Sequence, residues 1–138
     1  MRNVIATACG LLLLLSGVDP ARAASFDGNW SVLQVCETTS EGARGYTWRY
    51  DAVVKDGHLL GQRRITGESS SLTLEGRIGA DGTASLLARG ISGSADHNLH
   101  FSPARTPISF RVVARFGATE GTGQRVGERK CAFTFRKQ

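Results

Sequence analysis

The sequence predicts an all-β protein: a single antiparallel up-and-down β-barrel of about eight strands, closed by a disulfide between its first and last strands. Three observations carry this. Apolar and polar residues alternate with period two along almost the whole chain, the signature of strands with one buried face. Asp-Gly pairs and Gly-rich clusters separate the alternating runs, as hairpin turns require. Cys36 lies in the first run and Cys131 in the last, and those two strands become neighbours only if the sheet closes on itself.

Taken in order, the first strand spans about 29–37, with Trp30, Val32, Gln34 and Cys36 on one phase. The second, 46–55, places Tyr46, Trp48, Tyr50, Ala52 and Val54 on one phase and Thr47, Arg49, Asp51 and Val53 on the other. Asp56-Gly57 turns the chain into a third strand, 58–66. The fourth, 71–79, alternates Leu72, Leu74, Gly76 and Ile78 with polar residues, and Asp81-Gly82 leads into a fifth at 83–91. A short sixth strand is expected near 96–101. A seventh, 107–117, sets Ile108, Phe110, Val112, Ala114 and Phe116 on one face, and a final hairpin covers about 122–136. No stretch shows the 3.6-residue periodicity of an amphipathic helix of three turns.

Residues 1–23 read as a secretory signal peptide. Arg2 supplies the positive end, Val4 to Val18 the apolar stretch, and Ala21-Arg22-Ala23 a small-x-small cleavage site. The apolar stretch is broken by Thr7, Gly10, Ser16 and Gly17, so it falls short of the roughly 20 residues of a membrane span. The expected compartment is the periplasm or the medium, with no integral membrane association and a monomeric barrel domain over 24–138. Cleavage removes Cys9 and leaves Cys36 and Cys131. An oxidising compartment favours pairing them. With the two cysteines opposite each other in an antiparallel pair, Gln34 faces Phe133 and Val32 faces Phe135, so the apolar phases of both strands match.

Phe26-Asp27-Gly28-Asn29-Trp30 resembles the Gly-x-Trp opening of calycins, the group of lipocalins and avidins, in which the Trp closes one end of a barrel. The whole chain after the leader also resembles small exported proteins of alpha-proteobacteria. The features that carry this are the Phe-x-Gly-x-Trp start, Cys36 soon after it, the Asp56-Gly57 and Asp81-Gly82 hairpins, and the Gly-rich stretch from Gly121 before Cys131. The resemblance implies an exported calycin-like barrel and names no activity. The segment from Ser94 to Pro107 departs from that pattern.

No catalytic motif is present. Gly90-Ile91-Ser92-Gly93-Ser94 misses Gly-x-Ser-x-Gly by one position. Gly121-x-Gly123-x-x-x-Gly127 lies between strand patterns, where a phosphate loop would need a helix to follow. His97 and His100 point to opposite faces if they lie on a strand, so no metal site is expected. The arginines are scattered over many strands, read mostly as outward, so no nucleic-acid surface is expected either. What remains is the inward phase of the first two strands. Gln34, Tyr46, Trp48 and Tyr50 would line a pocket for a small apolar or aromatic ligand. The expected function is a non-catalytic binding protein without cofactor. The alternative is a protein-binding module, such as a small hydrolase inhibitor, acting through loops such as Gly93 to Thr106.

Overall fold

A computed structural model describes residues 25–138, and their strands form one closed antiparallel sheet. The strands are β1 (Gly28–Cys36), β2 (Tyr46–Lys55), β3 (His58–Arg63), β4 (Ser71–Arg77), β5 (Thr83–Ile91), β6 (Pro107–Phe116), β7 (Glu120–Arg125) and β8 (Cys131–Lys137). Each pairs with its neighbours in chain order, and β8 returns to β1. The signal segment expected over 1–23, with its expected cleavage point, lies outside the described residues. Among the described residues no helix is long and apolar enough to cross a membrane.

Closure occurs in the register that the alternation predicts. Val32 pairs with Phe135, Gln34 with Phe133 and Cys36 with Cys131. The two cysteines form a disulfide, with their Cα atoms 4.0 Å apart. The period-two pattern therefore specifies more than strand content. A slip of one residue would turn Phe133 and Phe135 outward and part the cysteines.

One expected strand is absent. Residues 96–101 form two single-turn 3-10 helices, Ala95–His97 and Leu99–Phe101. His100 and Phe101 adopt left-handed backbone angles, φ 55° and 51°, which no strand accommodates. The Asn98 side-chain amide donates to the carbonyls of Gly93 and Ser102, at 3.1 and 2.9 Å. It thus replaces strand partners with a local bond, the usual way Asn competes with regular structure. The chain leaves β5 and re-enters β6 at one point. Ser92 N–H donates to Thr106 O at 2.8 Å, and Thr106 N–H donates to Ser92 Oγ at 2.9 Å. Residues 92–106 thus form a knotted-off loop between two paired strands.

The interior has two unlike halves. At the end holding the β2–β3 turn, Trp30, Phe116 and Phe135 are buried, and Phe26 packs beside them. Trp30 meets Phe116 edge-on at 5.5 Å, and Phe116 meets Phe135 at 4.6 Å. The Trp30 indole N–H donates to Phe26 O at 2.8 Å, so the ring is buried without an orphaned donor. Asp27 closes this end by accepting the N–H groups of Asp56 and Gly57, at 2.9 and 3.0 Å. Those bonds hold its carboxyl below the usual range. Gly121 makes the Phe116 packing possible, because a Cβ there would meet the Phe116 ring at 2.9 Å.

Candidate functional site at the capped mouth

The opposite end of the barrel is built from the last inward residues of the strands and roofed by residues 92–106. From β2 come Tyr46 and Trp48, half-buried, with ring centroids 4.6 Å apart. Ile108 comes from β6. From β3 and β7 come Arg63 and Arg125, and Arg129 enters from the β7–β8 loop. Between this rim and the loop lies a cavity of about 290 Å³. Tyr46, Trp48, Ile108, Leu99, Arg125 and Arg129 line it, with Ser92, Ser94, His97 and Asn98 on the roof side. Its size falls just short of the roughly 300–1,000 Å³ of small-molecule sites.

The four side chains singled out from the sequence divide between two levels. Tyr46 and Trp48 line the cavity. Gln34 and Tyr50 lie one layer deeper, both buried. Tyr50 donates its hydroxyl to Gln34 Oε1 at 3.1 Å, and the Gln34 amide donates to Cys36 Sγ at 3.6 Å. Burial pushes the Tyr50 hydroxyl far above its ordinary range, so it stays a donor. Gln34 and Tyr50 therefore form a polar floor satisfied within the protein. Gly61 leaves room for it, since a Cβ there would sit 3.3 Å from the Tyr50 ring.

The arginines lie mostly outward, as the alternation predicts, but three of them do not. Arg64, Arg77, Arg89, Arg111, Arg115 and Arg136 face solvent as expected, whereas Arg63 and Arg125 are half-buried and Arg129 is buried. The reason is strand phase. Arg63 pairs with inward Leu72, and Arg125 pairs with inward Val112. Each extends an inward series, Leu59-Gly61-Arg63 and Gly121-Gly123-Arg125. The glycines in those series carry no apolar side chain to mark the phase, so the inward run is hard to see.

Each guanidinium rests on an aromatic ring. Arg63 lies 4.2 Å from the Trp48 centroid, Arg125 4.0 Å from that of Phe110, and Arg129 4.9 Å from that of Tyr46. The ring faces recover part of the hydration that the cations lose. Arg129 donates to the carbonyls of Arg44, Glu37 and His97, at 2.7 and 3.2 Å for the first two. It thereby ties the end of β1, the β1–β2 loop and the cap to one point. Arg63 donates to Ser70 O. Arg125 has no side-chain hydrogen bond among the described residues, and its Nε is buried without a partner, as is that of Arg129. None of the ion pairs among the described residues includes Arg63, Arg125 or Arg129. Burial raises the Tyr46 hydroxyl, and the charges of Arg129, Arg125 and Arg63 oppose it. All three cations thus act on one phenol.

The cap is fastened from outside the cavity. His100 sits between Glu128, 2.8 Å from its Nε2, and Glu41, 3.1 Å from its Nδ1. Arg44 N–H donates to Asp96 O at 2.8 Å, and the two side chains pair at 3.5 Å. His97 Nδ1 lies 3.2 Å from Arg44 O, and its ring meets Tyr46 edge-on. Both histidines therefore fix the cap to the β1–β2 loop, through Arg44 and Glu41, and His100 also fixes it to Glu128 of the β7–β8 loop.

Comparison with family models, curated proteins and solved structures returns no match.

Proposed function

We propose that this protein is an exported, non-catalytic binding protein that holds a small, flat, largely apolar molecule at the mouth of a calycin-like barrel. The observation that carries the reading is the roofed cavity of about 290 Å³ between the Tyr46–Trp48 pair and residues 92–106. A packed lower barrel supplies a rigid base. The aromatic pair and Ile108 supply an apolar wall, and the loop of residues 92–106 covers one side of the space. This is the usual composition of a ligand site, apolar walls with a few placed polar groups. Export accords with the Cys36–Cys131 disulfide, a bond typical of oxidising compartments.

The test uses naphthamide, a neutral flat aromatic, titrated by calorimetry and by shifts of the two indole N–H resonances. The expected result is saturable binding with a Kd below about 1 mM. The Trp48 indole should move while that of Trp30, sealed at the other end, stays still. Trp48→Ala should weaken binding. Absence of binding at that concentration, or a response confined to exposed residues, overturns the reading.

A second reading, a protein-binding loop, draws on Phe101. It is 49% exposed at the cap on left-handed backbone, an unusual setting for a bulky apolar residue. Phe101→Ser separates the two, because it leaves naphthamide binding intact and removes only a contact that the loop makes with another protein.

A further inference from the structure

The cavity combines an apolar wall with cations that the protein leaves without counter-ions. Taking a guanidinium out of water is costly unless its charge and its N–H donors are met. A lysine in the same place could shed its proton, but an arginine cannot, so its charge must be answered by something else. Arg129 spends its hydrogen bonds on backbone carbonyls, which satisfy donors without neutralising charge. Arg125 has neither kind of partner within bonding distance, although it faces the cavity. Of the carboxylates only Glu128 acts on its charge, without an ion pair, and Glu128 is itself engaged by His100. Arg63, over Trp48, adds a third positive charge at the edge. Like charges brought together around Tyr46 repel one another, and the Phe110 ring under Arg125 offsets only part of that cost.

We infer that the ligand is a small organic anion, with a flat apolar body lying against Tyr46 and Trp48 and one acidic head received by Arg125 beside Arg129. A carboxylate suits this arrangement, because it can accept two N–H donors from one planar guanidinium. The head meets the terminal N–H groups of Arg125, which make no hydrogen bond among the described residues, and offsets the charge around Tyr46. The body occupies the apolar wall that a bare inorganic anion would leave unfilled. The inference rests on the pocket reading above and adds the sign of the ligand's charge to it.

The experiment compares naphthoate with naphthamide, which share a ring system and differ in charge. The wild-type protein should bind naphthoate about tenfold more tightly or better, the scale of one charge-assisted hydrogen-bond pair. Arg125→Met should bring the ratio of naphthoate to naphthamide affinity down to about one, whatever it does to either affinity alone, and a cooperative unfolding transition like that of the wild type shows that the variant is folded. Arg111→Met, which removes a solvent-facing arginine from the neighbouring strand, should retain the full advantage. Added salt should weaken naphthoate alone. Equal affinities for the two compounds in the wild-type protein overturn the anion inference and leave the pocket standing. An advantage that survives Arg125→Met also overturns it, because the anion is then held elsewhere. Failure of both compounds to bind overturns the pocket and the inference together.

Discussion

The two ends of this barrel are made by the same strands and solved in opposite ways. At the closed end, Trp30, Phe116 and Phe135 interlock, the indole N–H has its acceptor, and Asp27 ties down the β2–β3 turn. Apolar burial, with these few local hydrogen bonds, holds that half together. At the open end the inward positions hold Arg63, Arg125 and the half-buried Tyr46 and Trp48. Arg129 adds a buried cation whose Nε has no partner. Burying charge without a counter-charge lowers stability, so this half is not arranged for stability. The contrast is why the proposed site is placed at the mouth. Local violations of packing and polar satisfaction concentrate where a protein does something other than fold.

The contrast also explains where the covalent bond lies. Cys36 ends β1 and Cys131 begins β8, so the disulfide clamps the barrel at the mouth. The apolar core is thinnest at that end. Covalent closure there stands in for the aromatic packing of the opposite end.

The largest expected effect comes from truncating the two tryptophans separately. Trp30 is fully buried, and Trp30→Ala should destabilise by about 3–5 kcal/mol, as large core aromatics do. Trp48 is half-buried against Arg63, and Trp48→Ala should cost about 1 kcal/mol or less, in line with partly exposed positions. Denaturant unfolding of the two variants measures the difference. Equal losses would show that the mouth is ordinary core, and the contrast between the ends would fail.

The next effect belongs to the disulfide. The bridged cysteines are 95 residues apart, so the bond closes a loop of nearly the whole domain. Chain-entropy arguments put the contribution of such a loop near 4–5 kcal/mol, and native bridges in small domains typically contribute about 2–5 kcal/mol. Cys131→Ser should lower stability by that amount. Its hydrogen exchange should sharpen the comparison further. Amides of Gln34 to Glu37 and of the cap should lose protection first, while those of Asn29 to Ser31 and of Phe116 should keep theirs. Uniform loss along the strands would mean that the bond acts only on the unfolded chain and has no local role at the mouth.

Much of the fold was legible because each apolar residue marks its own face. Val32, Gln34 and Cys36 set against Phe135, Phe133 and Cys131 define register as well as strand content. Tyr46 and Trp48 could be placed inward for the same reason. The cap and the cations could not be found that way. Residues 96–101 alternate crudely enough to pass for a strand, and what defeats the strand is a side-chain bond, Asn98 to Gly93 and Ser102, which periodicity does not register. The inward arginines follow glycines rather than apolar residues, so their phase is carried only by Leu59 and by the glycines themselves. Gln34 and Tyr50 were placed correctly in phase, but their mutual hydrogen bond turns them into a floor, and pairing of that kind depends on two strands meeting.

The smallest effect concerns the latch on the cap. His100 lies between Glu128 and Glu41, and its hydrogen bond to Glu128, followed by the charges of both carboxylates, raises its pKa above the ordinary 6.5. Because the folded value is the higher one, the latch contributes fully below about pH 6.5 and is lost as pH rises through the raised value. The group is solvent-exposed, so water screens the interaction and global stability should change little. The cap itself should respond more clearly. Protection of the Phe101 and Ser102 amides, which close the second 3-10 turn, should fall across that window, while the amides of Asp56 and Gly57 at the closed end stay unchanged. His100→Gln should abolish the pH dependence, since an amide can still bridge the two carboxylates but does not titrate. His97 sits in the same cap, 3.8 Å from Asp96, so His97→Gln is the necessary control and should leave the dependence in place. If His97→Gln removes the dependence and His100→Gln does not, the cap is held through Arg44 and Asp96, and the mouth opens from the β1–β2 side.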